Sequence, residues 1–272
     1  RHQGHYWSVK MTMNTINARR ELKRKLAARE RVFGGWVSYR EAAIAETFAK
    51  AGMDFVAIDM EHTTITTDQA NRIITGVQAE GSTCLPRPVS HSNDYVKPLL
   101  EAGADGLIIP VINSSNDVAH QVQLQKFPPV GQRSYGVNRA HGYGFDFDDY
   151  TQSWNDSGVF IAQIETITAV ENIDSIVNTP GLDAVMIGPY DIAGSLSVPG
   201  ETNHPKVREA ARHVVKACAS AGISCMTQIA DVNKAALDDT FDQGYTAIVM
   251  GSDLFILWKW AADMKALMHE MR

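Results

Sequence analysis

Eight short apolar runs, each followed by a helical pattern, constrain this chain more than any other feature. The runs fall at 32–37, 54–59, 83–87, 105–110, 159–165, 183–188, 223–228 and 245–250. Helical patterns fill the gaps near 40–51, 68–80, 93–102, 115–125, 168–178, 205–221, 231–243 and 253–270. Val- and Ile-rich runs alternating with helices imply parallel βαβ units. Three helix-to-strand joints share one grammar: Ala51-Gly52-Met53-Asp54, Ala102-Gly103-Ala104-Asp105 and Pro180-Gly181-Leu182-Asp183. A glycine there suits the left-handed cap that turns a helix back into a strand. Eight such pairs in about 240 residues predict an α/β chain folded as a (β/α)8 TIM barrel. The rival, an open doubly wound sheet, more often carries a glycine-rich phosphate turn after its first strand. This chain instead has Gly34-Gly35-Trp36 inside the first run and no G-x-G-x-x-G.

Composition narrows the class further. The chain has 272 residues, 44% hydrophobic and 21% charged, with a net charge of -6. That excludes a disordered chain and argues against broad nucleic-acid binding, which needs a basic face. No run has the length of a transmembrane helix. Three cysteines, Cys84, Cys218 and Cys225, make no disulfide framework and read as reduced thiols of a cytoplasmic protein. Residues 1–16 read as a disordered arm or tag remnant, and 17–272 as one barrel domain. Residues 17–31 read as a basic amphipathic helix capped by Asn17, solvated except for Leu22 and Leu26.

In a barrel, reactive groups stand at the C-terminal ends of the strands. Here those ends carry Asp59-Met60-Glu61-His62, Arg87, Gln163-Ile164-Glu165 and Gly188-Pro189-Tyr190-Asp191. Charged groups there are costly unless paired or bound to a metal. Glu165 and Asp191, from adjacent strands, suit a hard divalent cation such as Mg²⁺ or Mn²⁺ and leave positions open for water and substrate. Arg87 offers a fork for a carboxylate or a developing enolate oxygen. His62 is the natural acid or base. Together they describe enolate chemistry next to a carboxylate.

These residues resemble the HpcH/HpaI family of metal-dependent (class II) pyruvate aldolases, over about residues 30–270. The resemblance rests on Ile58–His62, Arg87-Pro88, Leu100–Ala104, Lys126–Arg133, Gln163–Glu165 with Ala169–Asn172, and Ile187–Asp191. It implies that Glu165 and Asp191 hold Mg²⁺, Mn²⁺ or Co²⁺. It implies that Arg87 polarises the pyruvate oxygen, that His62 is the acid/base group, and that Gln163, Gly188, Pro189 and Tyr190 hold pyruvate. Asp59 corresponds to a carboxylate at the acceptor end, able to serve a neighbouring subunit. One position departs from the pattern: the aspartate that orients the histidine is replaced by Glu101. The implied reaction is reversible aldol cleavage of a 4-hydroxy-2-oxo acid to pyruvate and an aldehyde. Oxaloacetate decarboxylation and condensations like those of citrate synthase or macrophomate synthase use the same enolate and remain open alternatives. A non-catalytic binding barrel and a phosphosugar enzyme are more distant ones.

Two further expectations concern the surroundings of the site. The irregular stretch 127–158 is too long for an idle connection and reads as a site-covering loop. In that reading Arg133, Tyr135, Asn138, Arg139, His141 and Tyr143 line the acceptor side. The C-terminal pattern 254–271 is apolar on two faces, where a monomer's surface helix needs only one stripe. It predicts a homo-oligomer. The resemblance makes that a hexamer, with the eighth helix exchanged between partners.

Overall fold

The computed structural model describes residues 3–272, with side chains from Thr15 onward. Helix α1 (Gln3–Ala27) precedes β1 (Val32–Val37), α2 (Ala42–Lys50), β2 (Phe55–Asp59), α3 (Thr67–Ala79), β3 (Thr83–Arg87), α4 (Asn93–Glu101) and β4 (Gly106–Ile109). The chain continues with α5 (Ser115–Gln125), a 3-10 turn (Arg139–Gly144), α6 (Phe147–Ser157), β5 (Val159–Ile164), α7 (Ile167–Glu171) and α8 (Ile173–Val177). It ends with β6 (Ala184–Ile187), α9 (Pro189–Ser195), α10 (Pro205–Ala221), β7 (Ser224–Ile229), α11 (Lys234–Asp242), β8 (Ala247–Met250) and α12 (Asp253–Glu270). The strands are parallel in the order β3-β2-β1-β8-β7-β6-β5-β4. At the seam between β3 and β4, the Asp105 amide donates to the Cys84 carbonyl at 3.0 Å, which leaves the barrel nearly closed. This is the (β/α)8 architecture that the alternating runs predict.

Two apolar shells follow from the strand pleat, because successive side chains point to opposite faces. Val32, Trp36, Phe55, Ala57, Leu85, Ile108, Ile161 and Met186 belong to the cluster that fills the barrel. Val37, Ile58, Ile109, Phe160, Ala162, Ile164 and Val185 pack outward against the helices. Cys84, Cys218 and Cys225 are buried and unpaired. No helix among the described residues is long and apolar enough to cross a membrane.

The joint grammar turns out to organise the N-terminal end of the barrel. Gly52, Gly103 and Gly181 take φ of +88°, +90° and +95°, a left-handed turn that glycine adopts without strain. The aspartate two residues later then accepts the amide of a neighbouring strand. Asp54 holds Phe33 N–H at 2.8 Å, Asp105 holds Cys84 N–H at 2.9 Å and Asp183 holds Phe160 N–H at 2.8 Å. Each also meets a cation of α1: Lys25 lies 2.6 Å from Asp54, Arg19 3.6 Å from Asp105 and Lys23 2.8 Å from Asp183. Leu22 and Leu26 plug the same end from within. The basic helix is therefore bolted across the barrel floor rather than solvated. Asn17 lies inside it and caps nothing, because the helical backbone starts at Gln3. Residues 1 and 2, and the side chains of 3–14, lie outside the described residues, so of the terminal arm expected over 1–16 the structure describes the helical backbone from Gln3 and the side chains of Thr15 and Ile16.

The stretch 127–158 corrects a second expectation. It joins α5 to β5, so the connectivity itself places it at the N-terminal end, opposite the reactive strand ends. It contains α6, whose Tyr150, Ser153, Trp154 and Ser157 form the buried stripe. Arg139 donates to Ala102 C=O and to Gln78, and His141 is fully buried. Arg133 bonds to Tyr150 and pairs with Glu101 at 3.1 Å. None of these side chains covers the site; they brace the floor.

Candidate active site

A cavity of about 890 Å³ opens at the C-terminal ends of the strands. Asp59, His62, Arg87, Gln163, Gly188, Pro189, Tyr190 and Asp191 all line it. Glu165 lies behind this lining, bonded to Gln163 and beside Gly188, so of the sequence-predicted residues only Glu101 is remote. Each reaches the rim because it ends a strand or begins the turn after it. Asp59 and Arg87 close β2 and β3, Gln163 is the penultimate residue of β5, and Gly188 caps α9 just beyond β6.

A continuous polar chain crosses the floor of this cavity. Arg87 Nη2 lies 2.8 Å from Asp59 Oδ1, and Arg87 Nη1 lies 3.1 Å from Glu61 Oε2. Arg87 Nη1 also donates to Gln163 Oε1 at 3.3 Å. Gln163 Nε2 in turn donates to Glu165 Oε1 at 2.6 Å. The other Glu165 oxygen accepts Val111 N–H at 2.7 Å. Trp36 lies against the guanidinium, 4.8 Å from ring centroid to Cζ, and holds it by a cation–π contact. Asp59 does further local work: its Oδ1 accepts the amides of Glu61 and His62 at 3.1 and 3.2 Å and fixes the turn that presents the imidazole. His62 itself is exposed at the mouth, with Nε2 3.7 Å from Glu61 Oε2.

Glu61 and Val111 are functional positions that the sequence reading left without a role. Glu61 sits in the quoted motif and could have been found from it. Val111 gives no such signal: its φ of +53° is strained for a β-branched residue, and that strain aims its amide at Glu165.

The electrostatics point to a missing positive charge. Asp59, Glu61, Glu165 and Asp191 gather around one guanidinium. Burial pushes the Glu165 carboxyl up to about 7; Glu61 and Asp191 push the same way, against the Val111 amide and Arg87. Burial also raises Glu61, with Arg87 opposing. A divalent cation between Glu165 and Asp191 would relieve this crowding, so the donor set fits one. Among the described residues, no group of three or more His, Cys, Asp or Glu side chains is disposed to hold a metal ion, so the fit rests on the Glu165–Asp191 pair alone. The backbone makes room as well: a Cβ on Gly188 would stand 2.9 Å from Glu165 Cγ and 3.2 Å from Oε1.

Glu101 is the exception. It ends α4, at the barrel floor, where it pairs with Arg133 at 3.1 Å and lies 3.8 Å from His141 Nδ1. Within this chain it does not orient His62. The carboxylate that holds the His62 turn is Asp59, from the same strand end, and no neighbouring subunit is needed to bring Asp59 to this cavity.

A family model described as HpcH/HpaI aldolase/citrate lyase matches residues 33–259. The chain belongs to that family. It is thereby an aldolase-type carbon–carbon lyase. A hydroxypyruvate/pyruvate aldolase from Paraburkholderia phytofirmans is 33% identical over 256 residues, covering 90% of this chain and 95% of that one. A 2-keto-3-deoxy-L-rhamnonate aldolase from Escherichia coli O157:H7 is 33% identical over 202 residues, covering 74% of this chain and 75% of its own. A solved HpcH/HpaI aldolase from Desulfitobacterium hafniense DCB-2 superposes with a TM-score of 0.83 at 30% identity, covering 92% and 96% of the two chains. The family match spans every strand end that lines the cavity.

Proposed function

We propose that this family member cleaves 4-hydroxy-2-oxo acids reversibly to pyruvate and an aldehyde, with Glu165 and Asp191 holding Mg²⁺, Mn²⁺ or Co²⁺. The observation that carries the reading is the Asp59–Arg87–Gln163–Glu165 chain beside an uncompensated cluster of carboxylates. When bound, the cation supplies a Lewis acid that polarises the keto oxygen. Arg87 presents its fork to the same oxygen and stabilises the charge that develops as the methyl proton leaves. Its two carboxylate partners and Trp36 keep that fork from swinging away. Gln163, tied to both Arg87 and Glu165, gives the substrate carboxylate a fixed amide edge beside Gly188, Pro189 and Tyr190. His62 can exchange a proton with the acceptor oxygen, and Glu61 stands close enough to steady the imidazolium. The test is turnover of pyruvate with a panel of aldehydes, before and after exhaustive chelation. Full activity without any divalent ion would overturn the reading, and oxaloacetate decarboxylation without aldol turnover would favour the decarboxylase alternative.

We also infer that the working unit is a homo-oligomer, most simply a hexamer with exchanged C-terminal helices. What supports this is α12, of which only Asp253 is buried. Leu254, Ile256, Leu257, Trp258, Trp260 and Leu267 are all at least 43% exposed. An apolar face of that extent is costly in water and suits a second chain. Light scattering with size exclusion tests it: a monomeric mass at micromolar concentration would refute it.

A further inference from the structure

Strand β4 does not run straight into the loop that follows it. Val159 N–H donates to Asp105 C=O, and the pairs from Gly106–Val159 to Ile109–Ala162 continue in step. One step further, a regular parallel ladder would give Gln163 C=O the amide of Val111. It receives the amide of Ile112 instead, at 3.2 Å. One extra residue has therefore entered the strand, a bulge at Pro110-Val111. The displaced Val111 amide turns to Glu165 Oε2 at 2.7 Å. Resting on the cation reading above, we propose that this bulge positions Glu165 to bind the metal, and that His91 is the positioning residue that clamps it.

Two observations carry this. The first is conformational cost. Val111 sits at φ +53°, a strained value for a β-branched residue. Its side chain is exposed, so burial of the isopropyl group does not hold it there. The second is a tie on each flank of the bulge. On one flank His91 Nε2 meets Pro110 C=O at 2.5 Å; a carbonyl only accepts, so this nitrogen carries the proton and donates. The His91 carbonyl accepts Gln121 Nε2 at 2.9 Å, which anchors the residue to α5. On the other flank Asn113 Nδ2 donates to Val111 C=O at 3.3 Å, and Asn113 Oδ1 accepts the hydroxyl of Thr166, the residue after Glu165. Asn172 Nδ2 holds the Asn113 carbonyl at 2.9 Å. The bulge is thus tied to the turn that carries its target. With Gln163 on Oε1 and Val111 on Oε2, each Glu165 oxygen has one fixed donor. A carboxylate held at both oxygens presents its remaining lone pairs in one direction and loses less freedom when a cation binds. Without the clamp, Val111 relaxes to negative φ and carries its amide away from Oε2.

The experiment titrates Mn²⁺ into chelated, full-length protein by calorimetry, so it reads binding without turnover. His91→Leu removes the donor and should raise the Mn²⁺ Kd by about tenfold or more. His91→Gln, whose amide can still donate to Pro110 C=O, should stay within about threefold of wild type. Val111→Gly takes a left-handed φ without strain and should need no clamp. Val111→Gly combined with His91→Leu should therefore return to within about threefold of wild type, a non-additivity that a merely structural role would not produce. Asn113→Ala loosens the opposite flank and should weaken binding in the same direction as His91→Leu. An unchanged Kd in folded His91→Leu overturns the proposal, and so does a double variant that binds no better than His91→Leu. If His91→Leu does not fold, a wild-type Kd in Asn113→Ala overturns it instead. Wild-type protein that takes up no Mn²⁺ sinks the cation reading and this proposal with it. Wild-type uptake with His91→Leu unaffected sinks this proposal alone.

Discussion

The two ends of the barrel use the same residue types to opposite effect. At the N-terminal end, Asp54, Asp105 and Asp183 each accept a strand amide and each meet a cation from α1. At the C-terminal end, Asp59, Glu61, Glu165 and Asp191 crowd around Arg87, and Glu165 is driven up to about 7. Asp54 and Asp183 at the joints are matched to their donors and serve the fold, while complete burial pushes Asp105 up despite its partners. At the strand ends Asp59 is matched to Arg87, but Glu61 and Glu165 are left short of positive charge. The contrast shows where this protein concentrates stability and where it gives some up for chemistry.

The largest effect that would test this contrast comes from the crowded end. Glu165→Ala or Asp191→Ala should lower kcat by about 1000-fold or more while the folded state survives, since each removes half of the proposed cation ligands. Steady-state kinetics alongside a thermal melt reads both. Residual turnover near wild type would place the cation, or the chemistry, elsewhere. Arg87→Lys should cost about 100-fold in kcat, because a point charge replaces the fork that spans Asp59, Glu61 and Gln163. Its melting temperature should shift little by comparison.

The matched end should respond in the other currency, stability. Asp105→Ala leaves the Arg19 guanidinium buried without its partner and should destabilise the chain by about 3–5 kcal/mol in chemical denaturation. Its kcat should stay within about twofold of wild type, because Asp105 lies at the opposite end of the barrel and is not among the residues that line the cavity. A large loss of kcat in a folded Asp105→Ala protein would break the division between the two ends.

The smallest effect is a pH slope. Glu165 in the metal-free fold holds its proton up to about 7, against an ordinary value of 4.5. The native state therefore binds that proton more tightly than the unfolded chain does. Its stabilising contribution is fully present below about 4.5 and is lost as pH rises through about 7. The melting temperature of chelated protein should accordingly decline between those limits, relative to Glu165→Gln, which lacks the titration. A cation competes with the same proton, so its affinity should grow over the same interval. Identical pH profiles for the two proteins would mean that Glu165 is ionised throughout.

Much of this was legible from local sequence. Strands buried on both faces must be continuous apolar runs, so the eight strands stand out with boundaries within a residue or two. The Gly-x-Asp joints announce themselves because only a few residues tolerate a left-handed cap. Asp59, His62, Arg87, Gln163, Glu165 and Asp191 could be paired with strand ends because the barrel sends every strand end to one face. By contrast α6 was hidden, since Ser153 and Ser157 alternate with Tyr150 and Trp154 in its buried stripe and blur the apolar period.

Which end of the barrel a residue serves is settled by packing, not by local sequence. Glu101 and the 127–158 stretch carry polar and aromatic side chains that suit a catalytic rim as well as a floor, and composition cannot tell the two apart. Connectivity can: both precede a strand, so both return to the N-terminal end, where Arg133 and His141 rather than His62 meet Glu101. The strained Val111 amide on Glu165 and the sharing of one guanidinium among three neighbours are likewise products of packing. Sequence fixes which side chains lie on which element through local periodicity. Distances between elements are set by how the closed barrel stacks them, and no single segment contains that information.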